Sequence, residues 1–402
     1  MVQAATVREA LGILSRADYL DIRGCAAACL KHIEGSLTPG IGDNGVKVYG
    51  QAVEAALELF ANQELLPQGQ VELDVSRVFS AAKRAVLGHF GDALRTLNTP
   101  ELRRQLLALP AEAMEALLDS DDFGTDDESS ILLLLAIWAE AQGDAADAAA
   151  LNRLCELVRL AQLSPACMHF VLPALALEHE AGRGWFPIKV LQATSIARIA
   201  SLGKKDRAAA DGLFPAVRQQ KWYSTKPRRQ CLPKEGLQYN WSISERDLAR
   251  GPMQPGLVPD GRMRWTAAFD TGAPRPTQIA AAGFEWVVQV QYDRRVAQTG
   301  ALALLNALPS AYRIGNRSAE QLTCFVNTNA SICVYKWTGT TRAVCFREGP
   351  KREAKLDHAW RWPKAMPLQG DQPMIPGGPP PVSAWAPYLH EGCISGTLTL
   401  RP

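Results

Sequence analysis

Along the first two hundred residues, apolar positions recur every three or four residues, the spacing of one helix face. Val7, Ala10, Leu11 and Leu14 set a first helix within Thr6–Ile33, Tyr19–Ile22 breaks it before Gly24, and Cys25, Cys29 and His32 or Ile33 share one face of a second. Ser36–Gly45 reads as a loop from its Pro and Gly. Val46–Leu66 and Val71–Thr96 read as helices. Pro100 sits in the first turn of the next helix, where its missing N–H costs nothing, and Leu102, Leu106, Leu107 and Leu109 form its apolar face. Pro110 opens another, with Met114, Leu117 and Leu118 inward. Thr125-Asp126-Asp127-Glu128 has the form of a capping box, with Thr125 as cap and Glu128 reaching back. Ile131–Trp138 is apolar all round, which predicts a central buried helix. Residues 154–160 and 165–172 add two more, and the pattern weakens after Arg183.

From Leu237 the texture changes to short β-branched and aromatic runs separated by turn signals. The strands expected are Tyr239–Ile243, Arg264–Phe269, Phe284–Gln291, Ala301–Ala307, Gln321–Asn327, Ser331–Lys336 and Gly396–Leu400. Glu285–Val290 and Thr397–Leu400 alternate polar and apolar, as half-buried strands do. Seven or eight strands in this span fit one antiparallel sandwich. Gly370–Val382 is a proline-glycine loop.

Charge divides the chain at the same place. Residues 1–220 carry 20 Lys+Arg against 28 Asp+Glu, a net of −8; residues 221–402 carry 23 against 13, a net of +10. Eight of the ten tryptophans also follow residue 220, so two folding units are expected, meeting at the basic, polar Lys221–Leu232. The start MVQAATVREALGIL places charges where a signal peptide needs an apolar core. No apolar run approaches membrane-spanning length, and nine scattered cysteines read as reduced thiols, so a cytoplasmic or nuclear location is expected.

Three segments carry resemblances. Phe90 through Val171, including LLALPAEAMEALLDSDDFGTDDESSILLLLAIWAEAQG and LCELVRLAQLS, resembles a BACK domain; Leu109-Pro110, Leu117-Leu118, Asp121-Asp122, Glu128, Trp138 and Val158-Arg159-Leu160 match in order. EALGILSRADYLDIRGCAAACLKHIE resembles the final helices of a BTB domain, without the body of that fold. The last 165 residues resemble a MATH (TRAF-like) sandwich through Tyr239–Ile243, Phe284–Val290, Gly300–Leu308, Leu322–Gly339, His358–Lys364 and Leu389–Leu400, with Arg361 in place of the usual glycine. The expected organisation is therefore α plus all-β: a BTB remnant at 1–35, a BACK-like helical bundle at 46–200, a linker at 201–236 and a MATH-like antiparallel β-sandwich at 237–402.

Motifs for catalysis are thin. Gly40-Ile41-Gly42-Asp43-Asn44-Gly45 fits G-x-G-x-x-G, but no strand precedes it, so a flexible loop is the better reading. Asp119, Asp121 and Gly124 have calcium-loop spacing, but Phe123 and Ser130 stand where oxygen ligands are needed. Cys25, Cys29 and His32 lack a fourth zinc ligand and read as core packing. No GxSxG, P-loop or HExxH is present, and no cofactor is expected. Lys226-Pro227-Arg228-Arg229 reads as a solvated linker, with nuclear targeting or nucleic-acid binding as its functional alternative.

The resemblances imply a non-enzymatic adaptor with protein partners, namely a peptide substrate and a cullin-type ubiquitin-ligase scaffold. The peptide site expected is Trp360, Arg361, Trp362 and Phe346, with Arg342 and Arg347 adding preference for an acidic or phosphorylated ligand. A nucleic-acid role for the basic aromatic half and a general scaffold role stay open as alternatives.

Overall fold

The computed structural model describes residues 6–43, 45–66, 75–143, 147–202, 221–224, 226–250, 262–293, 299–315, 325–326, 328–368 and 380–402. Helices α1 (Val7–Tyr19) and α2 (Arg23–Ser36) pack on each other, and the short strands β1 (Gly40–Ile41) and β2 (Lys47–Val48) pair where a loop was expected. Then follow α3 (Gly50–Ala61), α4 (Val75–Phe90), α5 (Ala93–Asn98), α6 (Pro100–Leu107), α7 (Ala111–Leu118), α8 (Glu128–Gln142), α9 (Ala148–Glu156), α10 (Leu172–Glu180) and α11 (Val190–Ala200). The expected helix at Val46 starts later, at Gly50, because residues 47–48 are taken by the hairpin. The helix α11 lies in the region where the apolar pattern weakens; it buries only Ala193, Ile196 and Ala197.

The all-apolar segment is central. Every residue of α8 from Glu128 to Ala139 is buried, and the Trp138 indole donates to Leu109 O at 3.0 Å. Its start is not a capping box. Asp127 is the N-cap, accepting the Ser129 N–H at 2.8 Å, and the Thr125 hydroxyl donates to Asp127 O instead. Glu128 turns away from the helix start because two basic partners compete for it: it accepts the Arg159 N–H at 2.9 Å and pairs with Arg228 at 3.0 Å.

Arg228 departs from the solvated reading of Lys226–Arg229, whose other three residues are exposed. Its side chain is 0% exposed and its partner Glu128 2%. The guanidinium also donates to Ser120 O and Leu118 O, both at 2.7 Å, and to Leu157 O at 3.2 Å. It thus satisfies a carbonyl at the end of α7 that no helix bond reaches. Arg159 and Lys226 both bind Asp121, and these contacts hold its carboxyl at about 2. Thr125 exchanges backbone hydrogen bonds with Arg229 and Cys231 at 3.0 and 3.1 Å. The segment is a strap on the helical half.

The C-terminal part is antiparallel β structure in several sheets. In chain order its elements are β3 (Leu237–Ser244), helix α12 (Glu245–Arg250), β4 (Arg262–Thr266), β5 (Ala268–Phe269), β6 (Ile279–Ala281), β7 (Phe284–Asp293), β8 (Thr299–Ala307), β9 (Phe325–Val326), β10 (Ala330–Thr338), β11 (Thr341–Glu348), β12 (Ala354–Lys355), β13 (Ala359–Pro367), β14 (Leu389–His390) and β15 (Cys393–Leu400). One sheet runs β11-β10-β15-β3-β5, with β14 beside β15; another runs β13-β8-β7-β4, with β6 beside β7; β9 and β12 form a small pair. Of the expected strand Gln321–Asn327, only Phe325–Val326 lies within the described residues.

The helical and β parts share one continuous apolar core. The Asn98 side chain behaves like a strand residue against β6, donating to Ala280 O at 2.8 Å and accepting from Ala280 N at 2.6 Å. The two-residue turn Ala282-Gly283 has positive φ at both positions, 51° and 80°, as a tight hairpin with right-handed twist requires. A Cβ on Gly283 would lie 2.6 Å from Ser129 Cβ and 2.8 Å from Cys167 Sγ, so only glycine fits against the helices there. Ala282 N–H donates to Asp126 at 2.7 Å, which docks the turn beside the start of α8.

Candidate partner-binding edge

Two strands stand at the ends of their sheets: β11 in one and β13 in the other. Their facing residues meet. Phe346 of β11 lies 6.0 Å from Trp362 of β13, and the Cys345 thiol points at Ala365 O at 3.9 Å. This seam brings together two of the four residues expected at a peptide site, Phe346 and Trp362.

Strand alternation explains the set and its exception. Trp360 pairs opposite Leu304 and Trp362 opposite Leu302, which in turn oppose Val288 and Val290 of β7. All six side chains share one face. Trp360 stacks on the fully buried Trp286, with ring centres 5.8 Å apart and planes 16° apart, and its indole donates to Arg352 O at 2.6 Å. Trp362 has the softer Phe346 contact and is half-buried. Arg361 takes the opposite face, opposite Ala303, and pairs with Asp293 at 3.5 Å; Asp293 also binds Arg262 at 3.2 Å. Arg361 is therefore not brought to Trp360, Trp362 and Phe346.

Just past Trp362 the ladder breaks. Pro363, Lys364 and Ala365 stand opposite the single residue Ala301, a bulge that leaves Pro363 and Lys364 exposed. Proline lacks a donor for the ladder, so its place in a bulge of an edge strand follows from its chemistry.

Cys345 lies in an apolar strand pattern that suggests a core thiol; the strand is there, but Cys345 is exposed on it. The strand β11 pairs with β10 from Thr341↔Thr338 to Glu348↔Ile332, and among the described residues it has no strand on its other side. Thr341 through Cys345 and Arg347 are exposed, Val344 by 45%. Arg342 lies over the Tyr335 ring at 4.4 Å. The signal available was the short run Ala343–Phe346, too brief and too flanked by charge to give the bounds of the strand.

Other candidate chemistry resolves differently. Among the described residues no group of three or more His, Cys, Asp or Glu is arranged to hold a metal ion. Burial, with Cys25 beside it, pushes the Cys29 thiol to about 11, and burial also raises Cys155 and Cys231. A thiol raised this way holds little of the reactive thiolate at neutral pH. The Gly40–Gly45 loop is a hairpin approach whose Asn44 lies outside the described residues. Among the described residues no helix is long and apolar enough to cross a membrane.

Residues 75–172 match the family model of BACK, BTB And C-terminal Kelch. The matched span runs from the first residue of α4 to the first of α10 and contains Asp121, Glu128, Trp138 and Arg159. The segments that resemble BTB and MATH lie outside it. No curated protein and no solved structure matches the chain.

Proposed function

We propose that this chain, which carries a BACK domain over residues 75–172, is a non-enzymatic protein-interaction adaptor whose β part holds an extended segment of a partner along β11. The helical part joins it to a larger assembly, and the β part is a MATH-like sandwich. By analogy with the systems after which the BACK family is described, the assembly is a cullin-type ubiquitin ligase and the chain its substrate adaptor; a fold-level analogy is a warrant of association.

The observation that carries the reading is β11 itself, an eight-residue edge strand with exposed side chains and one paired side among the described residues. Such an edge presents unpaired N–H and C=O groups in register, a template for a further strand. Arg342 and Arg347 discourage two copies of this basic edge from pairing, yet leave it open to an acidic segment. Trp362 and Phe346 lie along the seam and offer apolar contact to alternate side chains of that segment. Nucleic-acid binding is less favoured, because Trp222, Trp241, Trp265, Trp286 and Trp385 are buried and present no ring face to a base.

The test is binding of an array of extended acidic peptides to the full chain, with circular dichroism on Trp362→Ala and Trp360→Ala. Trp362→Ala should fold and bind at least tenfold more weakly, while Trp360→Ala loses stability through its stack on Trp286. Normal binding by a folded Trp362→Ala would remove the seam from the site. Recovery of a cullin on the full chain tests the assembly separately.

A further inference from the structure

A cleft of about 390 Å³ opens where α5 and α6 meet the loop that precedes β6. Leu97, Pro100 and Arg103 line it from the helical part, Pro274, Arg275 and Pro276 from the loop, and Glu285 from β7. The size is that of small-ligand sites, which favour junctions between parts of a chain. Asn98 also lines the cleft, and its paired hydrogen bonds to Ala280 hold α5 to β6.

We propose that this cleft binds a compact anion carrying a flat apolar group, such as an aryl phosphate, between Arg103 of the helical part and Arg275 of the β part. The Arg103 guanidinium has no hydrogen bond or ion pair among the described residues beyond its longer-range attraction to Glu285. Arg275 meets Asp270 at 3.8 Å, with both side chains more than half exposed, a contact worth little in water and easily exchanged for a ligand. Two guanidinium groups lining one cleft suit the oxygens of a phosphate or carboxylate, which guanidinium forks bind in pairs. The proline rings and Leu97 supply an apolar slot for the rest of the ligand.

Glu285 sets the charge balance of the site. Burial raises its carboxyl from the ordinary value and Glu140 of α8 adds to this, while Arg103 opposes it; Arg275 is the other charged group in the cleft. Ionised, Glu285 repels an anion; protonated, it can donate a hydrogen bond to one. Removing the Glu285 charge should therefore tighten binding.

The site is independent of the β11 edge, and charge changes at Arg342 or Arg347 should not affect it. Calorimetric titration of the full chain with phenyl phosphate at pH 8, where the probe is a dianion, tests it. Saturable binding is expected, weakened at least tenfold by Arg103→Ala and by Arg275→Ala, with Arg103→Lys weakened severalfold as a variant that keeps the charge. Glu285→Gln should bind more tightly than the parent chain, because it removes the charge that opposes the anion. The peptide Ala-Ala-phosphotyrosine-Ala-Ala separates two sources of the same chemistry. Tighter binding of the peptide assigns the site to a partner's modified side chain, and tighter binding of phenyl phosphate assigns it to a free small molecule; either result supports the site. No saturable binding of either probe, or unchanged binding in both folded alanine variants, overturns it.

Discussion

At Arg228 one side chain binds five oxygens: both of Glu128 and the carbonyls of Leu118, Ser120 and Leu157. Nothing in KPRR signals this, because the partners lie 71 to 110 residues away along the chain. A buried ion pair is weak evidence of net stability, but removing one partner strands the other. Arg228→Met should therefore cost about 3–5 kcal/mol in urea melts. The double variant Arg228→Met with Glu128→Gln should cost clearly less than the two single losses combined. A melt unchanged from the parent for Arg228→Met would show that the contact is not formed. Asp126 is a second such residue. Burial raises its carboxyl to about 6, and Asp127 adds to this, while the Ala282 N–H opposes it. A carboxyl raised on folding takes up protons, so its unfavourable contribution is absent below about 3.8 and complete above about 6. Asp126→Asn should stabilise the chain at pH 7.5 by up to about 2 kcal/mol and change little at pH 4. Equal effects at both pH values would place Asp126 in water.

Among the elements, those with a strong period were legible and those defined by neighbours were not. The central helix α8 could be read from eight consecutive apolar residues. Its cap could not, because Thr125 and Glu128 have the spacing of a box while the strap and Arg159 draw Glu128 elsewhere. Trp138→Ala should lower stability by about 3–5 kcal/mol, since it empties a site 3% exposed and leaves Leu109 O without its donor. An unchanged melting temperature would contradict the central place of α8. Trp360 and Trp362 could be read as sharing a face, and the same alternation sets Arg361 against the other face, so grouping Arg361 with them ignored its own rule. The β6 strand, three residues long, was not legible; of β11 the strand pattern around Cys345 was, but not its bounds or its exposure, because it lacks the alternation that burial imposes. At β11, Arg342→Glu with Arg347→Glu should abolish binding of acidic array peptides, leave the far-ultraviolet spectrum unchanged, and favour basic peptides. Loss of helical or β signal instead would show that these arginines are structural.

Across the whole molecule, the shift from helical to strand texture near Leu237 was visible in pattern, charge and tryptophan content together. The connection between the two parts was not, because it depends on Asn98 imitating a strand and on a two-residue turn fitting against Ser129 and Cys167. Those contacts join the two parts in one apolar core. The most direct measurement of the adaptor reading is amide hydrogen exchange of the full chain with and without the tightest acidic array peptide. Strand addition predicts slowed exchange concentrated in Thr341–Glu348, with little change across 75–172. Saturating peptide that leaves Thr341–Glu348 exchanging as fast as in the free chain would contradict it.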